Sequence, residues 1–162
     1  MNLQSYMSRY LLLFFSCIGF LNGCVTAPER TLADDPTFGD KDLQTLRHWY
    51  RKVRLTDSEA SKSALTYYRA DYGALVVAAT NKDQRALSTL MSFSMDGEAG
   101  EEHDVILGLL LAGLGDDFFS GVLKSQSRAV RKLVLDQLSM YGPSYIPEMR
   151  TRNPKTFSVS LR

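Results

Sequence analysis

The stretch "HDVILGLLLAGL", His103–Leu114, decides the fold. It is apolar on nearly every side of a helix, so it predicts a buried central helix with other elements packed around it. Helices are expected on both sides. All five prolines (Pro28, Pro36, Pro143, Pro147 and Pro154) lie outside residues 37–142, and apolar residues within that block recur at helical spacing. A proline-free block between proline-bearing ends reads as a helical domain with a tether before it and a tail after it.

About five helices are expected at 40–142. Asp40 is placed to cap "KDLQTLRHWYRKVRL", in which Leu46, Trp49, Tyr50 and Val53 share one side. Thr56 and Glu59 have capping-box spacing ahead of a second helix through "SALTYYRADYGALVVAAT", where Gly73 suits a kink or a close helix contact. Asn81 is expected to cap "KDQRALSTLMSFS", and "DGEAGEE" reads as a turn before the central helix. After it, "GDDFFSGVLKSQ" reads as one or two short helical turns. Ser127 then caps "SRAVRKLVLDQLSMY", with Val130, Leu133, Val134, Leu138 and Tyr141 as its apolar stripe and Gly142 and Pro143 as its end.

Composition narrows the function. The chain has 162 residues, a single-domain length, with 44% hydrophobic and 23% charged residues. Its 19 basic and 18 acidic side chains nearly cancel, so no whole-protein field gathers nucleic acid, and no nucleic-acid partner is expected.

The start of the chain carries an address. Residues 1–10 hold Arg9 and no acid; "LLLFFSCIGFL" follows at 11–21, then Asn22, Gly23 and Cys24. This is the layout of a secretory signal, and the apolar run is shorter than the roughly 20 residues of a spanning helix. "LNGC", Leu21–Cys24, resembles a bacterial lipobox. The resemblance implies cleavage between Gly23 and Cys24, removal of 1–23 as signal peptide, and acylation of Cys24, palmitate included. The thiol suits that role because its thiolate is a strong nucleophile, and two or three acyl chains hold where one does not. Val25, in place of an aspartate, resembles the pattern of outer-membrane delivery facing the periplasm. Residues 24–39 then form a flexible tether. With Cys17 lost in the signal and Cys24 acylated, the mature chain has no disulfide and no thiolate metal site.

The domain also resembles α-helical repeats of the HEAT type, on "LGDDFFSGVLKSQSRAVRKLVLDQL", Leu114–Leu138. Upstream, Asn81, Arg85 and Leu87 echo Ser127, Arg131 and Leu133 at an offset of 46 residues (127 minus 81). The fold expected is therefore all-α: helical hairpins stacked as a HEAT-like repeat, or an irregular helical bundle.

Candidate chemistry is sparse. "EAGEEHD", Glu98–Asp104, groups carboxylates with His103, a set able to bind a cation or move protons. The plainer reading places Glu101, Glu102 and Asp104 at a helix start, where acids favour the positive end of the dipole. Asp116 and Asp117 read as a turn or cap. No nucleophile motif, phosphate loop or metal spacing occurs in the sequence, so no catalytic residue, metal or cofactor is assigned and no enzyme is expected. For partner binding the candidates are the basic face of the first helix (His48, Arg51 and Arg54) and Arg150 and Arg152 in the basic, proline-containing tail, 143–162, expected to be flexible. The function expected is a membrane-tethered periplasmic module that presents a helical face to a protein partner. Two alternatives stay open: an immunity or inhibitor lipoprotein that neutralises a toxin or enzyme, and a small envelope enzyme or ligand carrier.

Overall fold

Short polar side chains (Ser58, Asp71, Asp83 and Ser127) start several of the helices, and apolar spacing decides which face each one buries. The computed structural model describes residues 43, 44, 46–48, 50, 51, 58–145 and 148–161, with the backbone alone at 141–145. Among these residues the fold is all-α, without a strand. The signal, the lipobox at Gly23 and Cys24, the tether, Asp40 and Arg54 lie outside the described residues.

Helical residues between 43 and 51 come first, and Leu43, Leu46 and Tyr50 are buried. Trp49 and Val53, expected on the same stripe, lie outside the described residues. The next helix, α1 (Glu59–Ser63), is capped by Ser58, whose extended backbone lets its Oγ accept from the Ser61 N–H at 3.0 Å. Thr56, expected in that role, also lies outside the described residues.

The single long second helix does not form. After α1 the chain widens into a π-helical turn, Ala64–Tyr68, and reverses at Arg69 in the left-handed region, φ 55°. Asp71 then opens α2 (Tyr72–Thr80), accepting from the Ala74 N–H at 3.0 Å. Thr66, Tyr67 and Tyr68 are weak helix formers, whereas an aspartate cap is strong, so the local balance favours a fresh start. A tertiary latch sets where the turn lies. Tyr68 Oη donates to the Ser94 carbonyl at 2.5 Å and accepts from the Ser94 N–H at 2.8 Å, with its ring 4.4 Å from that of Phe93. Gly73 serves the close contact rather than a kink: a Cβ there would stand 3.3 Å from the Tyr50 carbonyl oxygen.

Asp83, not Asn81, caps α3 (Gln84–Met91), accepting from Arg85 and Ala86 N–H at 2.8 and 3.0 Å. Asn81 closes α2 instead, its Nδ2 donating to the Val77 carbonyl. The echo of Asn81 with Ser127 therefore sets a helix end against a helix start.

The central helix, α4 (Gly97–Leu114), starts six residues before His103 and absorbs the expected "DGEAGEE" turn. Gly100 makes this possible, since a Cβ there would lie 2.5 Å from the Met95 carbonyl oxygen. As expected of a central helix, α4 buries Ile106, Leu107, Leu110, Leu111 and Leu114. It packs against α1, and against the two helices that follow, α5 (Asp116–Lys124) and α6 (Arg128–Tyr145). Ser127 Oγ accepts from the Val130 N–H at 3.3 Å, as its expected capping role requires. Val134 and Leu138 are buried, Val130 and Leu133 half-buried, and the Tyr141 side chain lies outside the description.

Gly142 and Pro143, expected to end α6, fall inside its last turn, where the missing proline N–H forfeits a single ladder hydrogen bond. The tail is folded, unlike the flexible strip its prolines suggested. Two short helices, α7 (Met149–Arg152) and α8 (Pro154–Phe157), bury Met149, Asn153 and Thr156, with Val159 buried just beyond them. The Met149 methyl sits 3.2 Å from where a Cβ on Gly108 would be, so the tail lies directly on the central helix.

Candidate functional site

Three consecutive polar residues, Glu102, His103 and Asp104, occupy the second turn of α4 and are all buried, while Glu101 is exposed. Successive side chains leave a helix about 100° apart, so the three point at three different neighbours. This changes the plainer reading of these acids: the helix starts earlier, and its first-turn acid is Glu98.

Glu102 faces the first helical residues and α1. Its Oε1 accepts from Tyr50 Oη at 2.9 Å and Ser58 Oγ at 2.7 Å, and its Oε2 accepts from the Ala60 N–H at 3.0 Å. Three donors replace the water this carboxylate gives up on burial. The Ala60 N–H is one of the unpaired donors in the first turn of α1, so Glu102 also caps that helix from a distance.

His103 faces α2. Its Nδ1 is 2.8 Å from Tyr72 Oη, and its ring lies 5.7 Å from that of Tyr72 and 6.1 Å from that of Phe93. Burial pulls the imidazole down to about 4, with the Leu90 carbonyl acting in the opposite sense, so the ring is neutral at pH 7. Nε2 is buried with no partner of hydrogen-bond geometry. Asp104 faces Gln137 on α6. Burial raises its carboxyl to about 6, while the Gln137 side chain favours the charged form and Glu101 disfavours it. Asp104 Oδ1 and Gln137 Oε1 are likewise buried without a partner.

The two phenols stay protonated. Burial lifts Tyr50 well above the ordinary range, aided first by Tyr72 and then by Glu102. Burial also lifts Tyr72, aided by Glu102 and then Asp104. The group is thus an internal polar network that joins helices distant in sequence. Among the described residues, no three His, Cys, Asp or Glu side chains converge as a metal site would need. The mark of this network in the sequence is the position of "EHD" directly before the apolar run of α4; Tyr50, Ser58 and Tyr72 carry no local mark of their roles.

The basic candidates lie elsewhere. His48 and Arg51 are exposed and three residues apart on the first helical segment, whose Leu46 and Tyr50 point into the core. Nearby Arg47 is bound to α2, donating to Thr80 Oγ1 at 2.9 Å and to the Thr80 carbonyl. Arg150 and Arg152 are exposed but engaged. The Arg150 guanidinium lies 4.9 Å from the centre of the Phe157 ring and donates to Ser139 Oγ at 2.8 Å, and Arg152 pairs with Glu148 at 3.5 Å. Asp116 holds the tail: its Oδ1 accepts from the Thr156 N–H and Oγ1, and its Oδ2 from the Lys155 N–H, each at 2.7 Å. Asp117 pairs with Lys155 Nζ at the surface, and that hydrogen bond raises the Lys155 ammonium pKa. Comparison of the chain with protein-family models, with curated proteins and with solved structures finds no match in any of the three.

Proposed function

We propose that this chain is a lipoprotein of the bacterial cell envelope, held at the membrane by acyl chains on Cys24, and that its helical domain is a non-enzymatic module that binds a protein partner in the periplasm. The observation that carries the reading is "LNGC" at the end of a short apolar run. The helical domain supports it in one respect. Leu46 and Tyr50 seat the first helical segment in the core, which leaves His48 and Arg51 on the outer side for a partner with acidic groups.

The anchor is tested by metabolic labelling. Cys24→Ala abolishes incorporation of a palmitate label and leaves an uncut precursor; unchanged labelling overturns the lipoprotein reading. The module is tested with a photo-crosslinker at His48 in intact cells. Capture of one envelope protein in near-equal amount, lost on Arg51→Glu, is the expected result. No protein captured, with the domain folded and at the membrane, overturns it.

A further inference from the structure

Asp104 on α4 and Gln137 on α6 are each 7% exposed and hydrogen-bonded to one another. Each still keeps one buried oxygen, Asp104 Oδ1 and Gln137 Oε1, without a partner. A carboxylate only accepts, so its bond to an amide side chain uses the amide N–H. That leaves the Gln137 oxygen and the second Asp104 oxygen as two buried acceptors in want of a donor, which costs free energy. One proton satisfies both. A neutral carboxyl and a primary amide have matching edges: the acid O–H donates to the amide oxygen, and the amide N–H donates to the acid carbonyl.

We propose that Asp104 and Gln137 form a proton-operated clasp between α4 and α6, closed when Asp104 is a carboxylic acid paired edge to edge with the Gln137 amide and loosened when that proton leaves. In the closed form the proton on Asp104 Oδ1 is donated to Gln137 Oε1, and Gln137 Nε2 donates to Asp104 Oδ2. Transfer of the proton to solvent water keeps the N–H bond and leaves Oδ1 and Oε1 unpaired. Burial brings the carboxyl to about 6, so the clasp is closed in mild acid and loose at neutral pH. It is a property of the helical domain and does not depend on the reading of Cys24.

The charges around the pair are engaged elsewhere or act in the same sense. On α4, exposed Glu101 stands one turn before Asp104 and disfavours the carboxylate, whereas Glu102 and His103 face α1 and α2. On α1, Glu59 and Lys62 pair with each other at the surface. On α2, Asp71 caps the helix, and the buried Tyr72 phenol is held protonated in part by the charge of Asp104. On α5, Asp116 and Asp117 bind the tail, and Lys124 is exposed. On the tail, Arg150 binds Ser139 and Arg152 pairs with Glu148. On α6, Lys132 pairs with Asp136, Arg128 is exposed, and Arg131 stands six residues before Gln137, about 120° round the helix. Burial first, then Gln137 and then Glu101 set the protonation of Asp104.

The test uses the full-length chain in detergent micelles, labelled with carbon-13 and nitrogen-15 and assigned through the backbone. The Asp104 Cγ and Gln137 Cδ signals are expected to titrate together near pH 6, with the Gln137 signal moving upfield as its oxygen loses the donor. In Asp104→Asn, which keeps the shape and whose amide pairs with Gln137 at any pH, the Gln137 signal is expected to stay fixed. A Gln137 signal that ignores the Asp104 titration, or that still moves in the variant, overturns the clasp. So does an Asp104 midpoint lowered by magnesium or calcium chloride against sodium chloride of equal ionic strength, which gives the two oxygens to a cation. Hydrogen exchange of residues 128–140 then reads the fastening of α6. Between pH 5 and pH 7.5 the parent is expected to lose about tenfold more protection than Asp104→Asn, since pH 5 lies one unit below the Asp104 midpoint and both proteins carry the same His103. Equal changes in the two proteins overturn the proposal.

Discussion

At the scale of single residues, His103 and Asp104 show burial setting protonation in opposite directions at adjacent positions. His103 is pulled from 6.5 to about 4, so the neutral ring supports folding above pH 6.5, and that support is lost as pH falls towards 4. Asp104 is raised from 3.8 to about 6, so its contribution is complete below pH 3.8 and is lost as pH rises through 6. Between about pH 4 and 6 the folded chain holds its proton on Asp104 and the unfolded chain holds one on His103, so the two slopes nearly cancel. Single variants should unmask them. Asp104→Asn is expected to make the protein lose stability on going from pH 7 to pH 4.5, and His103→Gln to make it gain stability over the same interval. Urea unfolding at the two pH values reads both; parallel pH profiles for both variants and the parent would refute the opposition.

At the scale of elements, helix boundaries follow from which polar side chain has the extended backbone of a cap. Asn81 and Asp83 are both good capping residues two positions apart, and only Asp83 has that backbone, with φ −73° and ψ 110°. Sequence pattern does not separate two such candidates. The tail shows the same limit over a longer distance. Asn153, the local candidate to cap α8, turns its amide back to the Met149 carbonyl, and Asp116 supplies the cap from 40 residues away. Asp116→Ala leaves buried donors of Thr156 without partners and is expected to cost about 1–3 kcal/mol, with faster proteolysis confined to residues 149–161. Asp117→Ala removes only the exposed pair with Lys155 and should leave stability nearly unchanged. Equal effects in limited proteolysis and urea melts would remove Asp116 from this role.

At the scale of the whole molecule, the tail is part of the core it closes. Met149 is 1% exposed and fills the space that Gly108 leaves on α4. Met149→Ala is expected to destabilise the fold by about 2–4 kcal/mol, read as a lower urea midpoint with an unchanged slope; a loss within the noise would mean that the tail only rests on the surface. The sequence by itself determined the all-α class, the central position of the helix ending at Leu114, the buried positions Val134 and Leu138 of α6 and the cap at Ser127. These follow from apolar period and from side chains acting within one turn of chain, where spacing and geometry are the same information. Only the tertiary structure decided that "EHD" is an internal network, that the second helix breaks at a π-helical turn, and that a basic, proline-broken tail folds onto α4. Each of those rests on a partner far away in the chain (Tyr50 for Glu102, Ser94 for Tyr68, Asp116 for Thr156). A buried polar group takes whichever partner the packing brings to it, and local sequence does not encode that choice.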